Sequence, residues 1–130
     1  MIHFLKFIFH ISILLLIILS LFPGSLIGFM LYRDFGVQPD LVPGNPFGTT
    51  INHFFSYFYV SLLGFFVYSD VKKSDFKKLV LVLFFLSIIL EILQLIVPNR
   101  SFQTGDLIFN ILGVLVAYCI IKIYLFIIKR

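Results

Sequence analysis

Charge is what this chain has least of: 12% of its 130 residues are charged, 6 acidic against 10 basic. A soluble domain carries about 25% charged residues and about 45 to 50% apolar ones. Here the apolar share is 61%, and so short a chain has too little interior to hide the surplus. Lipid must be the solvent for much of it. Cysteine is nearly absent as well. The single Cys119 cannot close an internal bridge, so a disulfide scaffold is excluded. Glycine shows no collagen-like period, and the high hydrophobicity excludes a disordered chain. The net charge of +4 would suit nucleic acid, but basic residues in an apolar chain more often set orientation across a membrane. No nucleic-acid partner is expected, and the bilayer itself is the first partner implied.

Long apolar runs are what the chain does have. A membrane-crossing helix needs roughly 20 apolar residues to span about 30 Å of hydrocarbon. Four such runs lie between charges and turn residues: Phe7 to Tyr32 with Pro23-Gly24 inside it, Ile51 to Ser69, Leu79 to Val97, and Leu107 to about Ile128. The fold class predicted is all-α, an integral membrane bundle of four transmembrane helices forming a single domain over 1–130. Arg33 to Thr50 holds three Pro and three Gly and reads as an irregular extramembrane loop. Pro98 to Gly105 reads as a tight turn. Pro23 is expected to kink the first span, and Gly24 and Gly28 form a G-x-x-x-G step able to admit a neighbouring helix. A signal peptide, with Lys6 ahead of the apolar core and Gly24-Ser25 as a cleavage site, is the weaker reading because hydrophobicity continues to Tyr32.

The basic residues divide by side. Lys6, Lys72, Lys73, Lys77, Lys78, Lys122, Lys129 and Arg130 fall on one side, against Arg33 and Arg100 on the other. Basic residues in short loops stay cytoplasmic, so both termini are predicted inside. The Pro/Gly-rich loop and the Arg100 turn then face outward. Lys122 lies near the cytoplasmic end of its run and can snorkel to the headgroups. Cys119 reads as a small reduced hydrophobe.

Polar residues that lipid should exclude are the informative ones, and they fall at one depth. Glu91 and Gln94 lie just below the outer end of the third span. Asp106 opens the fourth, with Asn110 one turn below, and Asn52, His53, Ser56 and Tyr57 occupy the first turns of the second. Ser87, Glu91 and Gln94 are spaced by four and three, as are Asp106, Asn110 and Gly113, while His53 and Tyr57 are four apart. Each set shares a helix face. Gly113 and Ala117 continue the fourth-span stripe as small residues that let backbones approach. Glu91 is the sharpest signal, because a membrane carboxylate costs several kcal/mol and needs a partner; His53 and Arg100 are the candidates. Plainer readings stand beside these. Ser87, Gln94 and Asn110 can serve as interhelical packing groups, His53 as an interfacial histidine, Arg100 as a solvated charge, and Asp106 as a cap complementing the helix dipole. Their clustering at one rim favours a shared outward-facing site.

The stretch SIILEILQLIVPNRSFQTGDLIFNILGVLVAY, from Ser87 to Tyr118, resembles the signature of the VanZ-like family of bacterial membrane proteins. The pattern is E-x-x-Q closing one span, an Arg in the turn, then D-x-x-x-N-x-x-G opening the next, matched by Glu91, Gln94, Arg100, Asp106, Asn110 and Gly113. HFFSYFYVSLLGF, from His53 to Phe65, resembles the family's H-F-x-x-Y segment with its later Gly64. Departures are Thr49-Thr50 where short members often carry Asp-Lys, Gln103 in place of a second acidic residue, and Ala117 in place of a second Gly. The family takes its name from low-level resistance to the glycopeptide teicoplanin. The resemblance therefore implies a multi-pass protein of the bacterial cell membrane linked to the cell envelope.

Three functions compete. The first is an outward polar pocket, formed by His53, Tyr57, Glu91, Gln94, Arg100, Asp106 and Asn110, that binds an amphiphile such as a lipid-linked cell-wall precursor, a lipid headgroup or a glycopeptide. Arg100 would engage an anionic group through its forked donors, and Asp106 would hold Arg100 or a substrate amine. The second is an intramembrane hydrolase or transferase acting on a lipid-linked phosphate, with Glu91 and His53 as the catalytic candidates. A divalent ion on Glu91, Asp106 and His53 would serve such chemistry, but no motif of metal-ligand spacing supports it, and no cofactor is expected. The third is a small transporter working as a homo-oligomer, for which Glu91 is placed unfavourably near the end of its span.

Overall fold

A computed structural model describes residues 2–69 and 73–128; the side chains of residues 73 and 74 are also left undescribed. Among the described residues there are five α-helices and no strand: α1 (Ile2–Leu21), α2 (Leu26–Tyr32), α3 (Thr50–Val67), α4 (Lys73–Leu93) running into a 3-10 turn (Gln94–Ile96), and α5 (Thr104–Ile128). α1, α3, α5 and the stretch Asp75–Ile96 are long and apolar enough to cross a membrane. These correspond to the four expected spans. The helices exist because the runs are uninterrupted, and apolar side chains at every phase satisfy a lipid-facing surface all round.

The first span departs from expectation. It does not continue to Tyr32 with a kink; α1 ends at Leu21 and a separate short α2 begins at Leu26. Pro23 has no N–H to offer a helix ladder. Gly24 then takes φ +83°, a conformation that L side chains avoid, and the Ser25 hydroxyl caps the new helix by accepting from the Gly28 amide at 2.9 Å. Gly28 admits no neighbouring helix. A Cβ there would fall on the Val37 carbonyl of the loop that follows α2.

α3 and α5 form the most extensive helix pairing. Gly113 makes it possible, since a Cβ at that position would stand 2.6 Å from the Phe54 carbonyl and 2.8 Å from the Phe58 amide. Ala117, fully buried one turn on, continues the close approach, as expected for small residues at a membrane-helix contact. α1 is attached more loosely. Only 11% of its apolar window is buried, against 33% for α3, and its main anchor is the Phe9 ring pressed against Gly64.

The bundle has two chemically distinct ends. At one, the Lys6 ammonium lies 5.2 Å from the Tyr68 ring centroid, and that of Lys122 lies 5.4 Å from both Phe76 and Tyr118. Lys122 thus rests on aromatic faces near the helix ends. Lys72, Lys129 and Arg130 of the expected basic rim, and the Lys73 side chain, lie outside the described residues. At the other end the 33–49 loop folds back over the bundle. The Asn52 side chain fastens it, accepting from the Leu41 amide at 2.9 Å and donating to the Pro39 carbonyl at 2.6 Å.

Candidate functional site

The polar residues singled out in sequence meet at this second end, and one amide joins them. Asn110 Nδ2 on α5 donates to Glu91 Oε2 at 3.3 Å and to the Ser87 carbonyl at 3.4 Å, both on α4. Its Oδ1 therefore faces His53 Nδ1 on α3, at 3.1 Å. An amide oxygen only accepts, so Nδ1 carries the proton. Nε2 stands 3.3 Å from Asp106 Oδ2, and because a carboxylate only accepts, a hydrogen bond between them takes a second proton shared by the pair. A continuous chain of contacts runs Glu91, Asn110, His53, Asp106, and it ties three spans together.

Glu91 is fully buried, but its partners are neither of those expected. Oε1 accepts the backbone N–H of Gln103 at 3.1 Å, and Oε2 accepts from Asn110. Gln103 directly precedes α5, so the α4 carboxylate stands at the amino end of the next helix, where unpaired amides and the dipole favour negative charge. His53 is one link away, through Asn110. Arg100 makes no ion pair with Glu91 among the described residues.

Arg100 is directed elsewhere. Its Nε donates to the Phe22 carbonyl at 3.1 Å and its Nη2 to the Leu19 carbonyl at 2.8 Å. These are carbonyls at and just beyond the end of α1, which have no intrahelical donor. Two of its five donors thus hold the end of α1, and three remain on Nη1 and Nη2. Burial draws the Arg100 pKa below its ordinary value, while the Glu91 and Asp106 carboxylates oppose that shift.

Asp106 holds His53, not Arg100. It sits in the first turn of α5, where its charge suits the dipole, yet it caps no backbone amide. Among the described residues its buried Oδ1 has no hydrogen-bond partner. Tyr57 is buried and its hydroxyl faces Ser20 of α1. Gln94, also buried, lies in the 3-10 turn. The Ser87 hydroxyl turns back to the Phe84 carbonyl of its own helix at 2.7 Å, not across to a neighbouring helix as expected of a packing group. Among the described residues, no three His, Cys, Asp or Glu side chains stand close enough together to hold a metal ion.

Two cavities adjoin this network. One, of about 440 Å³, is lined by Asp106 with Gln103, Ser101, Asn99 and Gly36 among others. The second, of about 130 Å³, is lined by His53, Ser56 and Tyr57 together with Leu16, Leu19, Leu26, Ile27 and Leu41. Ser25, Gln38, Gln94 and Arg100 line both. The His53–Asp106 pair therefore joins a polar chamber to a mixed apolar one. Glu91 and Asn110 line neither and stand behind the pair.

Several residues of this region were not counted in the expected pocket. Asn52 was singled out in sequence beside His53 but not assigned to it, and Ser20, a polar group interrupting the apolar run near the end of α1, left a signal that was not used. Gln38 and Ser25 left none, because they reach the cavities through the α1 break and the fold of the following loop.

The chain matches the VanZ/LLP1 family over residues 7–127. No curated protein and no solved structure gives a match.

Proposed function

We propose that the chain, which belongs to the VanZ/LLP1 family, binds an amphiphilic envelope molecule at the polar end of its bundle, outward-facing in a bacterial cell membrane. The observation that carries this reading is the pairing of cavities. A polar chamber lined by amides, hydroxyls and Asp106 adjoins a smaller one with Leu16, Leu19, Leu26, Ile27 and Leu41 in its wall. A head group fits the first and the start of an apolar tail the second, as ligand sites combine apolar walls with a few placed polar groups. The outward orientation is supported by Lys6, Lys78 and Lys122 at the opposite end.

The geometry also narrows the head group. Arg100 has two of its five donors on α1 carbonyls, which leaves both Nη1 protons and one Nη2 proton for an anionic group of a ligand in the cavities it lines. The unpartnered Asp106 Oδ1 calls for a donor, and a buried acceptor without one costs about 1–3 kcal/mol. Hydroxyl, amide or amine groups on the ligand answer that need. Such groups occur in lipid-linked cell-wall precursors and in glycopeptides, which connects the site to teicoplanin-type resistance.

Susceptibility to teicoplanin tests this reading in cells. Asp106→Asn and His53→Ala are expected to abolish any resistance that the unaltered chain confers, at equal membrane abundance. Retained resistance in both variants contradicts it. Arg100→Ala is a poor probe, because loss of the α1 anchor would lower abundance by itself.

One observation favours a second reading. His53 has its Nδ1 proton fixed by Asn110, and Nε2 faces a carboxylate beside a cavity, an arrangement suited to moving a proton. It supports a hydrolase or transferase on a lipid-linked substrate. Mass spectrometry of polyprenyl phosphates incubated with the purified protein separates the two, turnover favouring the enzyme and unaltered substrate the binder. The transporter reading gains nothing, since Glu91 lines neither cavity.

A further inference from the structure

The segment after the α1 break displays an apolar surface that the bundle leaves uncovered. In α2, Ile27, Met30, Leu31 and Tyr32 are exposed, Met30 by 71%, and no charged residue lies between Lys6 and Arg33. Phe35 and Val37 are exposed on the chain that returns along it. Contiguous apolar surface of this kind marks an interaction site. With seven residues, α2 is about 10 Å long and too short to cross a bilayer.

The surface is held on a firm scaffold. The Ser25 amide donates to the Phe35 carbonyl at 2.7 Å, and the Phe29 and Phe35 rings stack with centroids 4.2 Å apart. Gly28 lies so close to the Val37 carbonyl that no side chain would fit between them. Arg33 closes α2 with its guanidinium 5.7 Å from the Phe29 ring centroid, which places one cation at the border of the apolar face. The surface also continues that of α1. Leu26, Ile27 and Leu41 share a cavity wall with Leu16 and Leu19, and the neighbouring Leu15 and Ile18 of α1 are exposed where lipid must cover them.

We propose that α2 and the returning chain, residues 26–37, lie in the boundary between headgroups and acyl chains of the leaflet at the site's end of the bundle. Ile27, Met30 and Leu31 enter the acyl region and Arg33 meets lipid phosphates, the arrangement of an interfacial helix. Continuity with the lipid face of α1 and the flanking cation favour lipid over a second copy of the chain as the occupant. This docking is independent of the proposed ligand. Taken together with that reading, it gives the smaller cavity a mouth toward the leaflet, so that an amphiphile enters sideways from lipid.

The chain contains no Trp, so Met30→Trp supplies a single emission. In vesicles of phosphatidylcholine and phosphatidylglycerol with acyl chains brominated near the headgroup, that emission should fall by about twofold or more, as expected for a side chain among acyl chains. It should resist aqueous iodide, like that of Phe85→Trp, which reports on an exposed position of α4. Quenching by iodide and not by brominated chains overturns the proposal. Quenching by neither also overturns it, since protein then covers the surface. Leu31→Trp repeats the measurement should the Met30 variant fail to fold, and none of these outcomes depends on whether the site binds an amphiphile.

Discussion

Asn110 is the residue on which the polar network turns, because one amide meets groups on two other spans. Its Nδ2 serves Glu91 and the Ser87 carbonyl, and its Oδ1 receives His53. Leucine has a similar volume and none of these contacts, and it would leave a buried carboxylate and imidazole each short of a partner. Asn110→Leu is expected to cost about 3 kcal/mol, read as an earlier unfolding midpoint in a denaturing-detergent titration. An unshifted midpoint would show the contacts to be inconsequential. The spacing of Glu91, Asp106 and Asn110 made this cluster legible in the sequence, since four-residue steps place groups on one face whatever the tertiary detail. The role of Arg100 was not legible. Its acceptors are backbone carbonyls of Leu19 and Phe22, and a carbonyl leaves no mark in a sequence.

At the scale of elements, α1 is the least buried span, and it is pinned at its two ends by different devices. Phe9 packs on Gly64 near one end, and Arg100 takes the carbonyls at the other. Loss of both charged hydrogen bonds in Arg100→Ala should destabilise the end of α1 by about 2 kcal/mol. Proteolysis after Leu21 should then quicken while the α3–α5 pair stays protected. Arg100→Lys should rescue poorly, because an ammonium cannot present two donors in a fixed fork. Cleavage at the unaltered rate in Arg100→Ala would show that Arg100 does not anchor α1. Span existence was readable here because unbroken apolar runs admit few alternatives. The end of α1 was not, because hydropathy runs on through Pro23 and Gly24, and the break is set by a backbone conformation with φ +83° that hydropathy does not register.

Across the whole molecule, the separation of Lys-bearing and polar ends makes an orientation testable. Cys119 is the only cysteine and is exposed on α5, so a Cys119→Ser background permits single-site labelling. In that background Ser101→Cys, on the polar rim, should react with an impermeant maleimide added to intact cells. Lys78→Cys should react only after lysis. The reverse pattern would invert the topology and place the cavities at the cytoplasmic face.

Whether the two cavities beside His53 and Asp106 hold an amphiphile is read most directly by native mass spectrometry of protein purified from bacterial membranes in a mild detergent. A discrete added mass, one bound molecule rich in hydroxyl or amide groups, is expected on the unaltered chain. That mass should fall at least about tenfold in Asp106→Asn, consistent with loss of a charge-assisted hydrogen bond. No added mass on the unaltered chain, or the same mass at the same occupancy in both proteins, would contradict amphiphile binding there.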